Sequence, residues 1–177
     1  MSLQQTSQKG VATLSACAER AVLQTLDALH LPYTYYAHPA VYTMADIDDL
    51  HRGFDGVQCK NLFLRNAKGN VHFLLIVDGD KRIDLKALAH QIGSSRLSFA
   101  SEQRLQAHLG LQAGCVGPFG LLNDAQRCVQ VLLDCDLHNA GTVLFHPNVH
   151  TATIGLLMQD LLAFLRHQDN PVHWVSV

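Results

Sequence analysis

The sequence predicts an α+β domain, a mixed and mostly antiparallel sheet with helices packed around it. Three observations lead there. Strand-like and helix-like segments interleave without a strict β-α-β period. Neighbouring strand-like runs are joined by short polar turns of hairpin length. A chain of 177 residues with 48% hydrophobic and 16% charged content suits one domain with a substantial core. The expected organisation is a polar tail at 1–13 followed by one domain over 14–177, with no repeat and no interdomain linker.

The elements follow in order. Ala16 to Leu29 reads as a helix, because Ala21, Leu23, Leu26 and Leu29 recur at helical spacing and Pro32 stops it. YTYYAH (Tyr33 to His38) is rich in strand formers. Thr43, with Asp46 three residues on, has the chemistry of an N-cap. NLFLR and VHFLLIVD flank the polar loop NAKGN, a hairpin signal. DLKALAHQ reads as a short helix ending at Gly93, RLSFA as a strand, and SEQRLQAHLG as a helix capped by Ser101 and stopped by Gly110. GCVGPFG must be a shaped loop. FGLLN, CVQVLLDC, TVLFH and HTATIG read as strands, QDLLAFLRHQ as an amphipathic helix and HWVSV as a closing strand.

The bulk numbers exclude several functions. A net charge of −2 argues against a general nucleic-acid coat, and no DNA partner is expected, although a few local cations can still hold a polyanion. Five cysteines, an odd count with no CxxC pair, argue against structural zinc and a disulfide framework. Reduced thiols fit a cytoplasmic protein. No apolar run approaches the roughly 20 residues that span a bilayer, and the start lacks a signal-peptide layout. No membrane partner is therefore expected.

Four stretches carry candidate chemistry. In FHPNVHTAT, His146 and His150 are four apart, the spacing of metal ligands on a helix. Pro147 opposes that helix, the alternation of HTATI favours a strand, and no HExxH glutamate is present. A strand with a satisfied histidine and a polar pocket wall stay open as readings; no metal is expected. GCVGPFG (Gly114 to Gly120) could present backbone groups to a ligand or serve only as a tight turn, and it lacks the Gly-Lys-Ser/Thr ending of a phosphate loop. Lys60, at the mouth of the apolar run CKNLFLR, could snorkel to water or stand as a fixed cation at a pocket. Asn61 beside it adds a donor and an acceptor. Cys115 is either a small core residue or a thiol nucleophile with His146 as base. The cations of DGDKRIDLK (Lys81, Arg82, Lys86) alternate with acids, as on a solvated face.

Taken in order, HPAVYT (His38 to Thr43), CKNLFLR, KRIDLKALA, RLSFAS, GCVGPFGLLND and FHPNVHTAT resemble the aminoacyl-tRNA deacylases related to the prolyl-tRNA synthetase editing domain, the YbaK-like family. The resemblance spans about residues 16 to 175. It is nearest to the free-standing branch that clears mischarged Ala-tRNA(Pro).

The resemblance implies a single α+β domain that hydrolyses the ester joining a small wrong amino acid to the tRNA 3′ adenosine. No cofactor is implied. The partners are the 3′ acceptor end of mischarged tRNA and prolyl-tRNA synthetase. The family lysine falls on Lys60, the GxxxP loop on Gly114 to Pro118, and the FHP histidine on His146. Lys60, Gly114 and His146 are thereby implied as catalytic, and Asn61, Cys115, Val116, Gly117, Pro118 and Thr43 as substrate-binding. Where relatives read HPLVNTAT, Asn148 and His150 depart and alter the polarity of that wall. The rivals are a Cys-tRNA(Pro) deacylase, a non-catalytic tRNA- or synthetase-binding module of the same fold, and a thiol hydrolase using Cys115.

Overall fold

The structure, a computed structural model, describes residues 3–40 and 53–177, with side chains from residue 16 onward. Thr43 lies outside the described residues. The first helix, α1 (Leu3–Ala28), has its backbone helical well before Ala16. It buries Val22 and Leu26, one turn apart, on the sheet. Leu31 N donates to Leu26 O and Pro32 follows, which ends the helix and starts β1 (Tyr33–Ala37).

β2 (Val57–Arg65) and β3 (His72–Asp78) form the expected hairpin, paired from Cys59–Asp78 to Arg65–His72. Asp84 caps α2 (Leu85–Gln91) by accepting from Lys86 N at 2.8 Å and Ala87 N at 3.0 Å. RLSFA yields only a two-residue strand, β4 (Ser98–Phe99). Ser101 caps α3 (Glu102–Leu109), and Gly110 stops it in the left-handed region at φ 63°.

FGLLN is not a strand. Residues Pro118–Asn123 form a 3-10 turn. Pro118 sets φ and removes an N–H at the first position, where a helical turn leaves that donor unused. Phe119 and Leu121 then point into the core, a burial that the apolar run had suggested for a strand. β5 (Val129–Asp134), β6 (Thr142–Phe145), β7 (Ala152–Leu157), α4 (Met158–Gln168) and β8 (Val172–Val175) complete the chain.

The sheet runs β1-β7-β6-β2-β3-β5-β8, with β4 also on β2. The pairs β1–β7, β7–β6, β2–β3 and β2–β4 are antiparallel; β6–β2, β3–β5 and β5–β8 are parallel. One face buries Leu26, Phe63, Ile76, Phe119, Phe145 and Phe164. The other buries Leu64, Leu75, Val77, Leu88, Leu97 and Leu132 beneath α2. Alternation along β2 sends Phe63 to the first cluster and Leu64 to the second.

One feature of β2 positions the site. β3 occupies one of its edges from Cys59 to Arg65. The other edge is shared: β6 pairs with Val57 and Gln58, and β4 pairs with Leu64 and Arg65. Between them, residues 59–62 have no strand neighbour on that edge among the described residues.

Candidate active site

β6 and β2 run parallel for two pairs, Val57–Val143 and Gln58–Leu144, and then part. Lys60 and His146 each lie two residues beyond the last pair. By alternation the Lys60 side chain leaves the face opposite Phe63, and His146 follows Phe145, the last residue of β6. Asn61 points to the other face. Its Nδ2 donates to Cys59 O at 3.4 Å, and its buried Oδ1 has no partner among the described residues. Lys60 and Asn61, adjacent in sequence, are therefore not side by side in space.

The Lys60 ammonium donates to Lys81 O at 3.0 Å. That carbonyl follows β3, so the tip of the side chain leans away from β6. Lys81 is itself anchored: its ammonium lies 2.6 Å from Asp134, 2.6 Å from Asp136 and 3.0 Å from Val177 O. The sequence placed Lys81 on a solvated face; buried Asp134 draws it inward instead, because a carboxylate out of water requires a counter-charge. Arg82 and Lys86 are exposed.

His146 is held by its neighbours. Its Nδ1 lies 2.8 Å from Ala152 O. A carbonyl only accepts, so Nδ1 carries the proton and the neutral ring presents its lone pair on Nε2. Burial pushes the pKa of His146 down; the bond to Ala152 O pushes it up, and His38 and His150 push it down further. Net, the ring is less basic than a free imidazole.

Two more histidines flank it. The His38 ring centre lies 5.9 Å away and that of His150 6.5 Å away. His38 Nδ1 donates to Pro39 O at 2.8 Å, and its Nε2 accepts from Thr153 Oγ1 at 3.0 Å. Thr151 is exposed in the turn before β7 while Thr153 is buried within it, so the two are not a pair on one strand face as their alternation suggested. The turn between β6 and β7 also keeps His146 and His150 off a common helical face.

The glycine loop closes the site from a third side. Gly114 has φ 88°, and a Cβ there would sit 2.8 Å from His150 Cε1, so both its backbone and its packing require glycine. A Cβ on Gly117 would lie 3.8 Å from His146 O. Asn148, itself left-handed at φ 62°, donates from Nδ2 to Phe119 O at 3.2 Å and ties the His146 turn to the 3-10 turn. Gly117 and Pro118 are buried, and Val116 is half-buried. Cys115 is 3% exposed, and burial pushes its thiol pKa up to about 12. At neutral pH it is a protonated thiol, the wrong state for a nucleophile.

The structure thus brings His146, His150 and the Gly114–Pro118 loop together, with Lys60 on the neighbouring strand and its ammonium turned to Lys81 O. A profile of the aminoacyl-tRNA editing domain matches residues 38–164. The chain belongs to the aminoacyl-tRNA editing-domain family. It is 43% identical over 153 residues to the prolyl-tRNA editing protein ProX of Acetoanaerobium sticklandii, covering 86% of this chain and 93% of that one. It is 33% identical over 166 residues to prolyl-tRNA synthetase associated domain-containing protein 1 of Danio rerio, covering 92% and 90%. A crystal structure described as a trans-editing enzyme for prolyl tRNA synthetase superposes with a TM-score of 0.68 at 21% identity over 90% of this chain and 97% of that one. That likeness speaks to the fold.

Within this editing domain, sequence reasoning did not select His38 or Thr153. A signal was present. The chain contains two His-Pro dipeptides, His38-Pro39 and His146-Pro147, and each ends a strand of the same half of the sheet. No helix among the described residues is long and apolar enough to cross a membrane.

Proposed function

We propose that this chain is a free-standing deacylase that edits mischarged tRNA in trans, with Ala-tRNA(Pro) as its substrate. The identity to a prolyl-tRNA editing protein supports the choice of tRNA, and the near-complete overlap of the two chains supports action outside a synthetase polypeptide. Prolyl-tRNA synthetase, the source of the error, is the enzyme it would work beside. Five free thiols favour the reducing cytoplasm.

The observation that supports the reading is the split between β2 and β6, with Lys60 on one strand, His146 just past the end of the other, and the glycine loop against His146 and His150. An aminoacyl ester is already activated, so the site has to orient it, supply water and stabilise the oxyanion. Water adds to the ester carbonyl, the C–O bond to the ribose breaks, the ribose oxygen takes a proton, and the amino acid leaves as a carboxylate. Backbone groups of Gly114 to Pro118 would orient the water or the neighbouring ribose hydroxyl. Neutral His146, its Nδ1–H committed to Ala152 O, offers Nε2 as an acceptor for the substrate's amino group or ribose hydroxyl, a positioning role. Lys60 has three N–H donors, and a swing from Lys81 O would bring it to the terminal phosphate or the developing oxyanion.

A pocket sized for alanine would reject proline by clash. A small pocket discriminates weakly against a single added heavy atom, about 1–3 kcal/mol for a methylene and similarly little for a hydroxyl, so serine and cysteine would be cut more slowly rather than refused. The test is deacylation of Ala-, Cys-, Ser- and Pro-tRNA(Pro) and Ala-tRNA(Ala). Ala-tRNA(Pro) should be hydrolysed fastest and Pro-tRNA(Pro) spared. Fastest turnover of Cys-tRNA(Pro) would reassign the substrate, and no hydrolysis of any member would leave a binding module without catalysis.

A further inference from the structure

We infer that Phe99, with Arg96 and Lys86 of the neighbouring cavity, forms a landing surface for the unpaired 3′ strand of the tRNA, upstream of the terminal adenosine. The inference rests on the deacylase reading and extends it to the part of the substrate that does not react. Phe99 is 62% exposed, far more than any other large hydrophobic side chain among the described residues. It lies on β4 directly opposite Leu64 of β2, and opposite residues of an antiparallel pair share a face. That face is the one Lys60 leaves from. Leu64 lies four residue steps along β2 from Lys60, about 13 Å at roughly 3.3 Å per residue. An aromatic ring therefore stands open to solvent one short step along the sheet from the candidate catalytic lysine.

The surroundings of Phe99 suit a phosphodiester strand. Arg96 and Leu97, just before it, line a cavity of about 990 Å³ between the β4 segment and α2, together with Lys86, His90 and Ser94. Lys86 and Arg96 are exposed, and neither is in an ion pair among the described residues, whereas Lys81 and Arg127 both have acidic partners. The acid lining the cavity, Asp84, accepts from two backbone N–H groups of α2 through Oδ1, and its single negative charge leaves the two cations in excess. A chain of net charge −2 has no general affinity for polyanions, so a hold on a phosphodiester strand has to come from local cations such as Lys86 and Arg96. Ring plus cations is the combination that binds single strands: a base stacks on the ring and neighbouring phosphates meet the cations.

Two measurements test this. In deacylation of Ala-tRNA(Pro), Phe99→Ala should raise KM about ten-fold, the low end of base–aromatic stacking, with kcat retained. Phe99→Trp should restore it. Alanine esterified to adenosine alone, which lacks the upstream nucleotides, should be cut equally well by wild type and Phe99→Ala. Arg96→Ala and Lys86→Ala should each lower the salt slope of tRNA binding by about 1. An unchanged KM for tRNA in Phe99→Ala, or an equal loss on the short ester, would overturn the proposal. The second measurement needs no catalysis: uncharged tRNA carrying 2-aminopurine at each unpaired 3′ position in turn. Wild type should change the emission at one upstream position, Phe99→Ala should abolish that change, and an identical response in the two proteins would refute the stacking role. Should the wild type hydrolyse no ester, the deacylase reading fails while the fluorescence still decides this one.

Discussion

Two halves of β2 stand in contrast. From Phe63 onward the strand is closed on both sides: Leu64 is fully buried under α2 in an apolar cluster with Leu75, Val77, Leu88 and Leu97. Before it, around Lys60, the strand has lost β6 and not yet gained β4, and the enclosed groups are nitrogen and oxygen: His146, Asn148, Thr153 and the Asn61 amide. Apolar enclosure holds the sheet together, whereas polar enclosure raises the energy of whatever lacks a partner and so favours a substrate that supplies one. A single strand serves both ends because its neighbour changes midway.

The largest expected effect lies in the polar half. Lys60→Ala should lower the deacylation rate by about 10²–10³, the scale of losing one oxyanion donor, with an unchanged melting temperature. Unchanged turnover would remove the assignment of the open edge as the active site. In the apolar half the reverse pattern holds: Leu75→Ala should cost about 2–5 kcal/mol of stability in urea unfolding, while activity per folded molecule is kept. Loss of activity without loss of stability in that variant would erase the contrast. The third effect is smaller and concerns pH. His72, at the far end of the hairpin, accepts from Arg104 Nη1 at 3.0 Å, and its ring centre lies 4.0 Å from that of His108. Burial pushes its pKa down to about 4, helped by the charges of His108, Arg104 and Arg65. The unfolded chain binds that proton more readily, so the contribution of His72 is complete above about pH 6.5 and is lost as the pH falls toward 4. Replacing His72 by Gln, which can still accept from Arg104, should flatten the stability profile within that window in thermal melts across pH.

Most of the fold was legible because local chemistry and tertiary structure agree. The Asp84 and Ser101 caps, the Gly110 stop and the β2–β3 hairpin all stand where composition put them. FGLLN was misread because apolar content alone does not distinguish a buried strand from a buried 3-10 turn, and Pro118 was the deciding residue. The site was half legible. Lys60, the glycine loop and His146 could be named from their motifs. That Asn61 faces away from Lys60 follows from alternation, but which face holds the site depends on where β6 departs, a long-range pairing that no local window contains. The same holds for His38, more than a hundred residues from the Thr153 hydroxyl it binds.

Lys81 links the two halves in a way that affects how variants are interpreted. Its backbone carbonyl receives the Lys60 ammonium, while its own side chain is moored to Asp134, which is completely enclosed. Cutting that mooring would free the loop on which the catalytic candidate rests. A screen scored by turnover alone would then flag Asp134 as chemical machinery, although it never comes near the ester.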